Sequence, residues 1–294
     1  MTTPQVIAQI VLPITLAVMM FAMGLSLTLS DFKRIGVFPK AAITGIMMQL
    51  LLLPLIAWTL ILLFESFTTI PVTLSFGLLI LASCPGGATS NVISHLAGGD
   101  GALSISMTAV VSLLMPFLVP VSLSYQLSWL GGDAFNIELP VLKTIMQLII
   151  ITVFPVLLAM ILRHHFPGKV MALEPAFKKV SGSIFIALVI ALTISQWPQL
   201  KSLGVEVVIL CLSLCLLAML AAYLTAKSQG FDIPTRKTLT IEVGIQNSGT
   251  GMFIAAVLLN SHELALISLL YGLLMNIPAF TLIAINYVKT TDVC

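Results

Sequence analysis

The residues best equipped for chemistry lie in one short stretch. Ile241-Glu242-Val243-Gly244-Ile245-Gln246-Asn247-Ser248-Gly249-Thr250-Gly251 places an acid, two carboxamides and three glycines within eleven residues. Carboxylate, amide and hydroxyl oxygens are ligands for a hard cation, and glycines free main-chain carbonyls to join them. A second stretch, Leu81-Ala82-Ser83-Cys84-Pro85-Gly86-Gly87-Ala88-Thr89-Ser90-Asn91-Val92, sets Pro-Gly-Gly directly before three polar side chains. Proline removes a backbone donor and clashes with the preceding turn, so a helix through this stretch is expected to break. A plain proline kink would account for Pro85 but not for Thr89, Ser90 and Asn91, which need partners wherever water is absent.

Water is absent from most of this molecule. Of 294 residues 59% are hydrophobic and 8% charged, about a third of the usual charged share. So few charges cannot cover a soluble fold, whereas a lipid-facing surface needs almost none. The charged residues bracket nine apolar runs: Met1–Ser30, Ala41–Phe64, Ser66–Gly99, Gly101–Gly132, Thr144–Leu162, Val180–Leu200, Val207–Ala226, Thr238–Asn260 and Leu264–Val288. Each is long enough to cross a ~30 Å hydrocarbon core as a helix. The alternating segments of a lipid-facing barrel are missing, so the expected fold is an all-α integral membrane protein with nine transmembrane helices. No Lys or Arg precedes Lys33, so the first run lacks the basic start of a cleaved signal peptide and reads as a permanent span.

Only the eighth run contains an acid, Glu242. A charged carboxylate in mid-span costs about 2.5–3.5 kcal/mol on insertion scales, so it requires a proton, a cation or a water-filled cavity. Every Lys and Arg falls in a loop or at a span end, leaving either a protonated, hydrogen-bonded structural Glu or a counter-charge from outside the protein. A transition-metal centre is not indicated. His95 and His262 fall near opposite membrane faces, His164-His165 lie in a loop, Cys84, Cys211 and Cys215 are scattered through apolar runs, and Cys294 ends the chain. The net charge of +2 is spread over separate loops, which gives no footprint for nucleic acid.

Nine alternating spans put Lys33, Arg34, Lys40, Arg163, Lys169, Lys178, Lys179, Lys227, Arg236, Lys237 and Lys289 on one side and only Lys143 and Lys201 on the other. That bias places the N-terminus outside and the C-terminus in the cytoplasm. Trp58, Trp129 and Trp197 near span ends suit the interfaces. One pattern recurs: Ser90-Asn91, Ala102-Leu103-Ser104 and Leu113-Leu114-Met115-Pro116 are echoed by Asn247-Ser248, Ala265-Leu266-Ile267-Ser268 and Leu273-Leu274-Met275-Asn276-Ile277-Pro278. Spans 3–4 and 8–9 start from opposite faces, so the echo reads as an inverted repeat with two discontinuous helices.

Cys84-Pro85-Gly86-Gly87 followed by Ser90-Asn91, together with Glu242-Val243-Gly244-Ile245-Gln246-Asn247-Ser248-Gly249, resembles the signature of the bile acid:sodium symporter family. Met20-Phe21-Ala22-Met23-Gly24-Leu25-Ser26-Leu27, Ser30-Asp31-Phe32, and Gln49 with Pro54 extend the resemblance to nearly the whole chain. Some relatives have ten spans, and this chain would begin near their second. The resemblance implies one membrane domain, residues 1–294, in which the two discontinuous helices cross one another. Its core would comprise spans 2–4 and 7–9 (about residues 38–124 and 203–288), and its panel spans 1, 5 and 6 (about residues 4–30 and 140–200).

By the same resemblance one sodium site maps onto Ser90, Asn91, Ser104, Thr108 and Glu242. Ser104 and Thr108, four apart, share a helix face, which agrees with that mapping. A second sodium site maps onto Gln49, Glu242 and Gln246 with the carbonyls of Val243 and Ile245. Taken alone, Gln49 reads equally well as interhelical glue. The substrate, a small organic anion, maps onto Gly87, Ala88, Thr89, Asn247 and Asn276. Ala88-Thr89 stands where a relative has Thr-Ala, and Met275 precedes Asn276 where a polar or aromatic residue can occur, so the acid itself stays open. The implied activity is sodium-coupled import of a carboxylate by alternating access, not enzymatic, with the lipid bilayer as surroundings and no obligate protein partner. A sodium/proton antiporter would want further buried acids. An intramembrane hydrolase using Ser90 or Ser248 would want a base and a Gly-x-Ser-x-Gly turn that the sequence lacks.

The charge bias carries its own test. On a cysteine-less background an impermeant thiol reagent added to intact cells is expected to label Thr3→Cys and to spare Lys40→Cys; the reverse pattern rejects the orientation.

Overall fold

A computed structural model describes residues 7–36, 39–68, 70–84, 86–130 and 139–291 of the chain. Pro85, where the sequence places the first helix break, lies outside the described residues, as do Thr3 and Cys294. Among the described residues the secondary structure is entirely helical. In chain order the α-helices are α1 (Leu12–Gly24), α2 (Leu29–Arg34), α3 (Pro39–Met47), α4 (Leu53–Glu65), α5 (Val72–Ala82), α6 (Ala88–Leu96), α7 (Gly101–Trp129) and α8 (Val141–Leu148). They continue as α9 (Phe154–His165), α10 (Pro167–Ser195), α11 (Trp197–Ser202), α12 (Val205–Ser228), α13 (Ile233–Gly244), α14 (Ser248–Phe253), α15 (His262–Leu274) and α16 (Asn276–Thr291).

Six helical stretches among the described residues are long and apolar enough to cross a membrane: Pro39–Glu65, Gly101–Trp129, Val141–His165, Pro167–Ser195, Val205–Ser228 and His262–Tyr287. The other three runs expected to span take different forms. The first is a shorter apolar helix, Gln9–Gly24. The third and eighth are each split, α5 from α6 and α13 from α14. Half-helix, break, half-helix and long helix thus occur twice, as α5–α7 and as α13–α15.

Among the described residues four π-turns interrupt the α-geometry, and three have one cause. Ile7–Val11, Met48–Leu52 and Ile149–Val153 each run straight into an α-helix whose second residue is proline: Pro13, Pro54 and Pro155. A proline ring collides with the carbonyl four residues earlier, and widening that turn relieves the collision without ending the helix. The fourth, Ile254–Leu258, continues α14 with no such proline.

At the first break Gly87 is extended (φ −126°, ψ −163°) and caps α6. At the second, Ile245 turns extended after Gly244, and the Asn247 side chain accepts from Thr250 N at 3.1 Å to start α14. The breaks meet: Asn247 N donates to Cys84 O at 3.4 Å. A β-carbon on Gly86 would stand 3.1 Å from the Glu242 and Ile245 carbonyls, so only glycine lets the two backbones pass this closely. Further along the two helices, Ser94 Oγ and Thr238 Oγ1 lie 2.9 Å apart, and Thr238 donates to Asp100 O at 3.2 Å, tying α6 to α13. Asp100 also caps α7 by accepting from Ala102 N and Leu103 N.

Helices α1, α9 and α10 pack on one another. Arg163 of α9 donates to the Leu25 carbonyl just past α1 and pairs with Glu174 of α10 at 2.9 Å, and Lys178 meets the same carboxylate at 2.8 Å. Gly24 sets the helix separation, because a β-carbon there would fall 2.6 Å from Val156 O. Gly24→Val should therefore overpack the α1–α9 contact and cost about 1–3 kcal/mol. A clear fall in the melting temperature of the detergent-solubilised protein is expected; an unchanged value would show that this contact is loose.

Candidate functional site

Glu242, in the last turn of α13, is fully buried. Among the described residues the only ion pairs are those of Glu174, so no side-chain cation answers this carboxylate. Its neighbours are oxygens. Ser104 Oγ lies 2.5 Å from Glu242 Oε1 and 2.7 Å from Asn91 Oδ1. Thr108 Oγ1 lies 3.2 Å from Glu242 Oε2 and 3.0 Å from the same Asn91 Oδ1. With the Asn91 amide oxygen turned toward them, two hydroxyls carrying two protons face four acceptor contacts, which leaves two of these contacts without a proton. The cluster is rich in oxygen and poor in protons, and all of it except the part-exposed Asn91 is buried.

Each member is placed by the fold. Ser104 and Thr108 fall on one face of α7, just inside the Asp100 cap. Ser90 and Asn91 belong to the first turns of α6, right after the break. Ser90 is buried and its hydroxyl donates to Gly87 O at 2.7 Å, bracing the turn.

A second group gathers where α13 ends. Its last carbonyls have lost their intrahelical donors. Gln49 Nε2, from the π-turn Met48–Leu52, donates to Glu242 O at 2.7 Å, and Gln246 Nε2 donates to Val243 O at 2.5 Å. Both glutamines are buried, and the amide oxygens Gln49 Oε1 and Gln246 Oε1 have no hydrogen-bond partner. Two buried, unanswered acceptors beside a buried carboxylate fit a cation. Val243 and Ile245 are fully buried in the same turn.

The residues expected to hold an anion are less closely grouped. Asn247 and Gly86 line a small cavity at the crossing together with Met20, Val111, Ser112, Met115 and Thr152. Gly87 packs closely on the same side chain: a β-carbon there would stand 3.1 Å from Asn247 Nδ2. Ala88 and Thr89 begin α6 and are partly buried. Asn276 does not join the cavity lining, because its Nδ2 donates to the Gly272 and Leu273 carbonyls of α15 at 2.6 and 3.3 Å. The cavity measures about 10 Å³, room for roughly one water. Ser112 was within reach of sequence reasoning, since it continues the Ser104–Thr108 face by one more turn. Met20 and Thr152 were not, because they come from α1 and from the π-turn before α9, remote in sequence.

The profile of the Sodium Bile acid symporter family matches residues 13–203. A Bacillus subtilis protein named as an uncharacterized sodium-dependent transporter, YocS, is 30% identical over 243 residues, covering 82% of this chain and 72% of that protein. The rice chloroplast protein BASS1, a probable sodium/metabolite cotransporter, is 29% identical over 240 residues, covering 81% of this chain and 56% of its own length. The human ileal sodium/bile acid cotransporter is 28% identical over 251 residues, 83% of this chain and 68% of that protein. The chain thus spans little more than half of the plant relative.

The oxygen cluster generates a stability prediction. Glu242→Gln keeps the shape and removes the charge, so in sodium-free buffer the variant should melt at or above the parent temperature. Sodium at 100 times its dissociation constant should stabilise the parent by about 2.7 kcal/mol and the variant hardly at all. Equal sodium stabilisation of both proteins would show that the carboxylate is no ligand.

Proposed function

The chain belongs to the sodium bile acid symporter family, whose name describes transport and not enzymatic turnover, and from that membership we propose that it imports an organic carboxylate together with two sodium ions. The observation carrying this reading is the buried, proton-poor oxygen cluster about Glu242, with no side-chain cation among the described residues to answer it. Sodium is the cargo that completes it. Ser90, Asn91, Ser104, Thr108 and Glu242 form the first site. Gln49, Gln246, Glu242 and the carbonyls of Val243 and Ile245 form the second, with the two unanswered amide oxygens as the ready ligands.

Two sodium ions against one carboxylate leave a charge of +1 at the crossing. A monoanion neutralises it, held by Asn247 and by main-chain donors at Gly87–Thr89, where α6 begins and its dipole favours negative charge. Asn276 joins after its amide leaves the Gly272 carbonyl. The one-water cavity cannot admit a carboxylate, so the acid enters when Met20 and Thr152 part from Asn247 and Gly86. That motion separates a panel built on α1, α9 and α10 from a core containing both interrupted helices, in a nine-span protein of the bacterial inner membrane with its N-terminus outside. The relatives named as sodium-dependent transporter and sodium/metabolite cotransporter support the coupling ion.

Each transport cycle moves one net positive charge inward, gaining about 2.3 kcal/mol per 100 mV. In voltage-clamped proteoliposomes a small carboxylic acid should give sodium-dependent inward current, while its amide gives none. Asn247→Ala should raise the acid concentration needed for half-maximal current more than it changes the sodium requirement. Equal uptake of acid and amide, or uptake without current, refutes the mechanism.

A further inference from the structure

Tyr271, on α15, is fully buried and stands first among the large buried side chains. Its hydroxyl donates to Gly244 O at 2.8 Å. Gly244 is the last residue of α13, directly between the two carbonyls, Val243 and Ile245, that the second cation site would use. On its other side Gly244 is closed by α12: Cys215 Sγ lies 3.5 Å from the same carbonyl oxygen, and a β-carbon on Gly244 would overlap the Met219 side chain. The residue after which α13 gives way to the break is therefore clamped between two helices that carry none of the proposed cation ligands.

The three donors at this helix end differ in kind. Gln49 and Gln246 cap the Glu242 and Val243 carbonyls through their nitrogens and each keeps an unanswered amide oxygen. Tyr271 has only its hydroxyl, and this is spent on Gly244 O. If packing alone were required, phenylalanine would fill the same space without placing a polar group in a buried site. The hydroxyl thus has a task that the ring does not.

We propose that Tyr271 is a positioning residue for the second cation site: by holding the Gly244 carbonyl it withholds that oxygen from the ion and fixes the Gly244–Ile245 peptide, so that the carbonyls of Val243 and Ile245 are the pair presented. The proposal rests on the reading of Gln49, Gln246, Glu242 and these two carbonyls as a sodium site. Cys215, a weak donor, assists on the same oxygen.

Sodium chloride titrations of the detergent-solubilised full chain, against choline chloride and followed by melting temperature, separate these readings. Tyr271→Phe should lower the melting temperature in choline by no more than the loss of one buried hydrogen bond, partly covered by Cys215, and should in addition raise the sodium concentration of half-maximal stabilisation about tenfold. Gln246→Ala should weaken the same sodium step, and Tyr271→Phe added to Gln246→Ala should have little further effect. Cys215→Ala should shift the midpoint in the same direction by about twofold, and it serves as the deciding variant if Tyr271→Phe does not fold. A Tyr271→Phe protein that melts lower in choline but keeps the parent's sodium midpoint overturns the proposal and makes the bond merely structural. An unshifted midpoint in Cys215→Ala, where that variant decides, also overturns it. If Gln246→Ala itself leaves the sodium response unchanged, the second-site reading fails instead, and the positioning role falls with it.

Discussion

An acid that no base answers governs this structure. Hydrocarbon makes an isolated carboxylate costly, and a protein can meet the cost with Lys or Arg, with a proton, or with an ion brought from outside. Here the side chains within reach of Glu242 are hydroxyls and carboxamides, and the hydroxyl protons are too few for the oxygens they face. Such a cage is poorly satisfied when empty and well satisfied by a small hard cation. On the proposed reading, the stability of the empty protein is given up at this point, and sodium dependence would take its local physical origin from that deficit.

The backbone breaks follow from the same requirement. An unbroken helix keeps its carbonyls for itself, whereas a helix that stops in the membrane releases its last ones. At the end of α13 these are capped by side chains from elsewhere: Glu242 O by Gln49, Val243 O by Gln246 and Gly244 O by Tyr271. Gly86 lets the other break approach the carbonyls of Glu242 and Ile245 closely. Crossing the breaks makes each the wall of the other, and the irregular backbone stays buried in protein, where hydrocarbon cannot reach it.

Much of this was legible in the sequence, for identifiable reasons. Glu242 is the lone acid in nine apolar runs; that Ser104 and Thr108 meet it was implied by the family resemblance, with which their shared helix face agrees. Both interruptions announced themselves through glycine and proline. What stayed hidden depends on three-dimensional approach. No local pattern says that Gly24 exists to admit the Val156 backbone, that Thr152 faces Asn247, or that Asn276 turns its amide back onto Gly272. The π-turns are an intermediate case: each of three precedes a proline, so their positions could be argued from sequence, but not that one of them would present Gln49 to the end of α13.

The repeated order of elements is not repeated in chemistry, and the difference lies in a few side chains. In the first repeat the fourth residue of α6, Asn91, accepts from Ser104 of the following helix. In the second, the fourth residue of α14 is Gly251, and the side chain nearest its missing β-carbon is Ser268 of α15. Ser268, and Thr250 beside Gly251, are fully buried, and their hydroxyls have no partner. Two neutral hydroxyls without an acid cannot hold a cation in a dry site, because nothing there repays the ion's lost hydration. An ion binding near the crossing therefore finds ligands on α6 and α7 that it does not find on α14 and α15. Similar scaffolds are thereby given unequal affinity, and the asymmetry is set by Glu242 and Asn91 having no counterpart in the other half.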